Sequence, residues 1–314
     1  MTIRKTADFL LSNNNYLILT HRRPDGDTVG SACALCRGLR ALGKRAQILP
    51  NPELTPRLAV LAEGLIGDAE TAGGCVISVD VAAQGLLPAR YAHLADETQL
   101  SIDHHGSHRA FAKQTLVSAD AAACGEIILA LLDAMDVPLT EAIAEALYVA
   151  LSTDTGCFRY GNTTGSTLRA AARCLEAGAD TLRWNRVLFL EKSLPRLRLE
   201  AYLTQHAEFY REGRTALCLL PDAVLKEFGI DEADLDDISG FPRDIAGVEL
   251  GMMLRTVSDG TKISLRTYAP WNASDICANW GGGGHPAAAG ATLPCSLEEA
   301  RKTVLETLER LGAI

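Results

Sequence analysis

The stretch Tyr16-Leu17-Ile18-Leu19-Thr20-His21-Arg22-Arg23-Pro24-Asp25-Gly26-Asp27 sets an apolar run of strand length directly against an imidazole and two carboxylates. Three further runs end in the same way. Cys75-Val76-Ile77-Ser78-Val79 leads into Asp80, and Leu100-Ser101-Ile102 leads into Asp103-His104-His105. The helical Ala142–Leu151 segment leads into Ser152-Thr153-Asp154-Thr155-Gly156. Each reads as a buried strand or helix ending in residues of metal-ligand type. In an open parallel sheet the carboxyl ends of the strands meet along one edge, where ligands bind, so four such ends can converge on one site. Carboxylates combined with imidazoles suit hard or borderline divalent cations such as Mn²⁺ or Mg²⁺.

At 314 residues the chain exceeds one average domain, and two domains are expected. A net charge of −9 argues against wrapping long duplex nucleic acid, which requires a basic footprint. A short anionic substrate is still allowed, because a metal site supplies its own local positive charge. The nine cysteines are dispersed, and Cys33-Ala34-Leu35-Cys36 lies inside a helical pattern without a second pair at zinc-site spacing. They read as small core residues in a reducing compartment. Asp8 and Asn13 to Asn15 interrupt any apolar core of a signal peptide, and no apolar stretch approaches the ~18–20 residues that span a bilayer. The expected location is the cytosol, with no membrane partner.

Strand patterns at Tyr16–Thr20, Ala46–Leu49, Cys75–Val79 and Gln99–Ile102 alternate with helical ones at Ser31–Leu42, Pro56–Ala62, Gly125–Met135 and Glu141–Leu151. That alternation predicts an α/β fold, a parallel sheet with helices on both faces. Gly43 is placed to cap its helix. From Thr163 to about His206 the pattern is mostly helical, and then the character changes. Val248–Val257 and Lys262–Tyr268 flank Ser258-Asp259-Gly260-Thr261, a hairpin signal. Ser296-Leu297-Glu298-Glu299 is a capping box opening a closing helix that runs to Leu311. The expected organisation is residues 1–190 as the metal-bearing domain and 191–209 as a helical connector. Residues 210–314 would form a smaller α+β domain with an antiparallel sheet.

His21, Asp25 and Asp27 share one turn past a strand, with Pro24 and Gly26 shaping the backbone. Two carboxylates at i and i+2 can face two different cations; Asp80 could bridge them, and His104 and Asp154 would complete the coordination of the second ion. Two ions ~3.5–4 Å apart can activate a water and neutralise phosphoryl oxygens together. Taken singly, each piece has a blander reading. Asp25-Gly26-Asp27 is more often a turn, Asp80 could cap a helix, Asp103 could satisfy backbone amides, and Asp154 could end a helix. Their joint recurrence after apolar runs is what favours a site.

The ordered set HRRPDGD, VD, DHH and STDTG resembles the four N-terminal motifs of the DHH phosphoesterase family, which is named for the triplet seen here as Asp103-His104-His105. Near the other end, Asn279-Trp280-Gly281-Gly282-Gly283-Gly284-His285-Pro286 resembles the GGGH signature of that family's associated C-terminal domain. The layout is similar to the stand-alone branch of bifunctional oligoribonucleases and 3′-phosphoadenosine 5′-phosphate phosphatases. It is less like the branches with extra nuclease, membrane or sensor domains. The resemblance implies two divalent cations, Mn²⁺ foremost, one held by His21, Asp25 and Asp80 and the other by Asp27, Asp80, His104 and Asp154. It further implies catalytic roles for Asp80, for Asp103 behind the ligands orienting an imidazole, and for His105 facing the scissile phosphate. Arg266 would clamp a substrate phosphate.

Gly281 to Gly284 could let backbone N–H groups approach an anion as a nest, with Gly282, Gly283, Gly284 and His285 as substrate contacts. Arg159 and Tyr160 could line the cleft, and Asn279 and Trp280 could sit beside the nest. The expected activity is hydrolysis of very short RNA to nucleoside 5′-monophosphates, with the site between the two domains and small phosphonucleotides as further substrates. Cyclic or linear dinucleotide hydrolysis and a catalytically silent nucleotide sensor are the rivals. The paucity of Lys and Arg around the glycines disfavours a pyrophosphatase. A homodimer is allowed for.

Overall fold

Helix α1 (Ile3–Ser12) precedes β1, which spans Tyr16–Leu19 as its apolar run requires. Asp25 then caps helix α2 (Gly26–Ala41), its Oδ1 accepting from the N–H groups of Asp27 and Thr28, both at 3.1 Å. This cap starts the helix five residues ahead of the Ser31 expected from its apolar pattern. Gly43 follows with φ +74, the left-handed conformation that suits a glycine just past a helix end. The unit continues with β2 (Ala46–Ile48), α3 (Pro56–Ala59), β3 (Cys75–Val79), β4 (Leu100–Asp103) and β5 (Gln114–Val117). Helices α4 (Cys124–Ala134), α5 (Glu141–Asp154), α6 (Gly165–Glu176) and α7 (Thr181–Asn185) complete it. The computed structural model describes residues 1–67, 74–231, 235 and 237–314. The chain divides into two units, Met1–Glu191 and Lys192–Ile314.

The first unit's five strands run in the order β2-β1-β3-β4-β5, all parallel. Alternate residues face opposite sides, as strand geometry dictates. Tyr16, Ile18, Ile77, Val79, Leu100 and Ile102 pack with residues of the α-helices, among them Leu10, Leu35, Leu39, Ile128 and Leu147. Leu17, Leu19 and Val76 pack on the other side with Leu87, Tyr91 and Leu94, where short 3₁₀ segments, Gln84–Leu86 and Ala89–Leu94, replace α-helices. The order reverses at β1, so its carboxyl end and that of β3 flank the crevice where doubly wound sheets bind ligands.

In the second unit, α8 (Leu194–His206) leads to β6 (Glu208–Tyr210), β7 (Thr215–Leu220), α9 (Asp222–Phe228), β8 (Leu250–Val257) and β9 (Gly260–Thr267). It closes with α10 (Ala273–Ala278), β10 (Gly283–His285), β11 (Ala288–Leu293) and α11 (Leu297–Arg310). Leu199 and Leu203 of α8, within the stretch read as a connector, are buried with Cys218 and Leu220 of β7. The six strands run β10-β11-β9-β8-β7-β6. The expected antiparallel sheet is mixed: β7 and β8 pair in parallel from Thr215↔Leu250 to Leu220↔Arg255. The segment between them carries α9, and such a crossover returns the chain in the same direction, whereas the hairpin signals read from sequence mark only tight reversals. The Ser258–Asp259 reversal is such a hairpin, and Ser296 and Glu299 form the capping box of α11. Among the described residues no helix is long and apolar enough to cross a membrane.

Candidate metal centre

Asp80 follows β3 directly and takes φ +59, a left-handed conformation that a short acidic side chain tolerates better than a bulky one. Its side chain is 2% exposed. Oδ2 lies 3.7 Å from Nε2 of His21, and Oδ1 lies 3.5 Å from Nε2 of His104. The two oxygens thus face two groups of donors. His21, Asp25 and Asp80 form one, and Asp27, His104 and Asp154 the other, each with its ligand atoms within 4.8 Å of one another. Asp80, His104 and His105 form a third such group.

Both histidines present the nitrogen a metal needs. Nδ1 of His21 lies 2.8 Å from the Arg22 carbonyl, and Nδ1 of His104 lies 3.2 Å from that of Ala121. Each Nδ1–H is occupied by a backbone acceptor, which fixes the tautomer with Nε2 as a lone pair, the usual state of a metal-binding imidazole. Nε2 of His104 and Oδ1 of Asp80 are buried and meet no hydrogen-bonding group. His104 Nε2 stands 3.2 Å from Asp154 Oδ2 and 3.7 Å from Asp27 Oδ2. Separations of this size suit neighbouring ligands of one ion, since bonds of ~2.1 Å place adjacent donors ~3 Å apart. The donor set therefore fits divalent cations.

The electrostatics point the same way. Burial, then the charges of Asp154 and Asp25, push the Asp27 carboxyl up to about 8 against the pull of His104. Burial and four neighbouring carboxylates push Asp80 well above the usual range. Such a cluster stays ionised only when cations compensate it. Burial opposes charge on His104, but Asp154 and Asp27 outweigh it and raise the metal-free imidazole to about 9, so an Nε2 proton must leave before that nitrogen can bind a cation. Asp25 is also opposed by burial, yet His21 and the amides of α2 hold it below its usual range.

Close helix packing sets these positions. A Cβ on Gly26 would lie 2.3 Å from Thr153 Cγ2, and one on Gly30 would lie 2.3 Å from the Ala146 carbonyl oxygen. Only hydrogen fits at both contacts, so α2 and α5 approach closely and bring Asp27 beside Asp154. The Asp27 carboxylate is then fixed by Ser31 Oγ at 2.9 Å and by the first amides of α4, Cys124 at 2.6 Å and Gly125 at 3.1 Å.

Asp103 lies at the end of β4, wholly buried, and is a member of none of the three donor groups. It accepts from Nδ1 of His105 at 2.8 Å and from Nδ1 of His108 at 2.6 Å. Burial opposes its ionisation, but His105 first and then His108 hold its carboxyl down at about 2. Sequence reasoning passed over His108, whose only signal is an imidazole five positions after Asp103. It also passed over Ser31, one helical turn after Asp27, and the amides of α4, which no local pattern marks.

Of the other expected contacts, Arg266, the glycines, His285, Asn279 and Trp280 lie in the second unit, and Arg159 and Tyr160 in the first. His285 pairs with Ala288 and Ala288 with Arg266, so His285 and Arg266 flank a methyl group on one face of the sheet. Nη2 of Arg266 donates to Ser239 Oγ at 3.0 Å. Gly283 and Gly284 belong to the edge strand β10, whose N–H groups alternate in direction. Gly283 and Gly284 lie exposed on that strand. Gly282 and Gly284 are required by packing, since a Cβ on either would strike the backbone of β11. Trp280 is core, its Nε1 donating to Thr307 Oγ1 at 3.2 Å, and Asn279 is tied to the end of α10 and to Arg310. Tyr160 packs over Gly156, and Arg159 donates to the Gly156 carbonyl.

A parallel sheet with the 2-1-3-4-5 order and this donor set at its carboxyl edge defines a doubly wound, metal-dependent hydrolase. Residues 15–151 match the model of the DHH family, N-terminal domain, and residues 219–311 that of the DHHA1 domain. The bifunctional oligoribonuclease and PAP phosphatase NrnA of Thermus thermophilus is 34% identical over 296 residues, covering 93% of this chain and 88% of that protein. Its Bacillus subtilis namesake is 28% identical, covering 94% of each chain. The crystal structure of an exopolyphosphatase-related protein from Bacteroides fragilis superposes with a TM-score of 0.88 at 23% identity, covering 98% of this chain and 96% of that one. The chain belongs to the DHH family of phosphoesterases.

Proposed function

We propose that this phosphoesterase hydrolyses very short RNA oligonucleotides to nucleoside 5′-monophosphates and removes phosphate from 3′-phosphoadenosine 5′-phosphate, using two divalent cations, Mn²⁺ foremost. The observation that carries the reading is Asp80, whose two oxygens face two donor groups that each hold one imidazole with Nε2 turned inward. The Thermus and Bacillus relatives, named for both activities, match nearly the whole chain. Nine unpaired cysteines support a cytosolic setting. The net charge of −9 supports short substrates over long duplexes.

His21, Asp25 and Asp80 would hold one ion, and Asp27, Asp80, His104 and Asp154 the other. When bound, the pair supplies Lewis acidity toward the phosphoryl oxygens and renders a water acidic enough to attack at neutral pH. The remaining work falls to side chains. Asp103 accepts from Nδ1 of His105 and so leaves Nε2 of that ring to hold or deliver a proton at a phosphoester oxygen. Arg266 would bind a substrate phosphate through its planar guanidinium, with His285 and the amides of Gly282, Gly283 and Gly284 as further donors.

The test is Mn²⁺-dependent turnover of an RNA dinucleotide, a long single-stranded RNA and 3′-phosphoadenosine 5′-phosphate, side by side. Fast dinucleotide cleavage, slow cleavage of the long RNA and release of phosphate from the bisphosphate are expected. No turnover of any of the three overturns the reading.

A further inference from the structure

We propose that His108 is a positioning residue for phosphoester hydrolysis, acting through Asp103 on His105. The inference rests on the hydrolytic reading above. In Asp103-His104-His105-Gly106-Ser107-His108, the chain leaves β4 and turns back on itself, the His108 N–H donating to the His105 carbonyl at 3.0 Å. The Arg109 N–H then donates to the Ala82 carbonyl at 2.8 Å and ties the turn to the segment after β3. Two imidazoles three residues apart thereby reach one carboxylate from opposite sides.

The two oxygens of Asp103 are loaded unequally. Oδ1 accepts from the His104 amide at 2.7 Å, the His105 amide at 3.2 Å and the His105 ring at 2.8 Å. Oδ2 accepts from the His108 ring at 2.6 Å. A buried carboxylate with one oxygen unanswered would gain by twisting about its Cβ–Cγ bond, and that twist would take Oδ1 away from the His105 ring. His108 opposes the twist, so one proton of His105 stays at Nδ1 and Nε2 stays the nitrogen that takes up and delivers the other. The side chain of His108 is 5% exposed, and its Nε2 is buried without any hydrogen-bonding group of the protein. As a packing residue beside Phe111, 6.1 Å away between ring centroids, an apolar side chain would serve better and leave no nitrogen unanswered. The retained imidazole is explained by the carboxylate it holds.

Two substitutions test this. His108→Leu keeps bulk and loses the donor, whereas His108→Asn keeps an N–H that can answer Oδ2. The expected result is a kcat about tenfold or more lower for the Leu variant, with KM and Mn²⁺ affinity within twofold of the parent, and substantial recovery in the Asn variant. A second readout does not need turnover: ¹⁵N spectra of the Mg²⁺-loaded protein should show His105 as the Nδ1–H tautomer in the parent and the Asn variant, and as a mixture in the Leu variant. An unchanged kcat or tautomer in His108→Leu overturns the proposal, as does an equal loss in both variants. Should His108→Leu fail to fold, His108→Asn decides: parent-like kcat and tautomer support the role, and loss of either overturns it. If the parent turns over no substrate, the functional reading fails, and the tautomer measurement still decides whether His108 positions His105.

Discussion

In the first unit Asp27 is wholly buried and receives three hydrogen bonds, whereas in the second Gly283, Gly284 and His285 lie exposed on an edge strand. On the proposed reading, the contrast follows from what each region would hold. Carboxylates crowded within a few ångströms repel one another, so each must be pinned by amides, hydroxyls and imidazoles before a cation arrives. A phosphate-gripping surface carries positive or neutral donors that do not fight one another, and a substrate must reach it from solvent. Rigidity belongs to the first region and accessibility to the second.

Replacing Asp80 by Ala is the severest way to break the contrast. It removes the oxygen pair facing both donor groups and should lower turnover and Mn²⁺ affinity together by more than about 100-fold, beyond what loss of an outer partner costs. Calorimetric metal titration alongside the dinucleotide assay checks it, and retention of either property would sink the assignment. Next comes acidity. Without metal, Asp27 keeps its proton up to about pH 8, so ions must displace it. Apparent affinity should weaken as pH falls below that point, about tenfold per pH unit for each proton displaced, with proton release on binding in weakly buffered solution. The second region should respond differently. Arg266→Gln is expected to raise KM about tenfold through loss of a charge-assisted contact while leaving metal affinity unchanged; a fall in metal affinity would erase the division of labour.

Smaller effects sharpen the picture. Gly30→Ala drives a methyl group against the Ala146 carbonyl and should cost about 1–3 kcal/mol in urea unfolding, with weaker metal binding as α2 lifts from α5. Arg301 forks onto Glu208 at 2.7 and 2.8 Å and holds that carboxyl below its usual range. The pair is partly exposed, so Arg301→Met should cost only about 0.5–1 kcal/mol. Because the folded value is depressed, that stabilisation is present above the ordinary glutamate range and is lost as pH falls through the folded value. The variant and its parent should therefore converge in acid.

The first sheet was readable because β1 is a continuous apolar run and β3 and β4 are apolar runs interrupted by a small serine, the mark of strands buried on both faces. β5 was not, since Gln114-Thr115-Leu116-Val117 sits at the sheet edge with one buried residue and carries no such run. The donor residues were legible because each lies in the short stretch that follows its run. Their supports were not: the amides of Cys124 and Gly125 stand 97 and 98 residues from Asp27, and such contacts are set by tertiary packing alone. The glycine-rich stretch has a second reason to be glycine that the sequence does not reveal. Gly282 and Gly284 answer to the backbone of β11, a demand that looks the same in sequence as room for an anion.

The meeting of Gly26 and Gly30 with α5 also bears on ionic size. Where two helices touch through backbone and small side chains, the gap between the residues at their ends has no soft side chain to compress or extend. Calcium needs ligand distances of about 2.3–2.6 Å and more partners than the ~2.1 Å bonds of Mg²⁺-sized ions. If Asp27 and Asp154 share an ion as proposed, admitting Ca²⁺ would require prising them apart against that helix contact, and Ca²⁺ is expected to bind more weakly than Mn²⁺ in the same calorimetric titration.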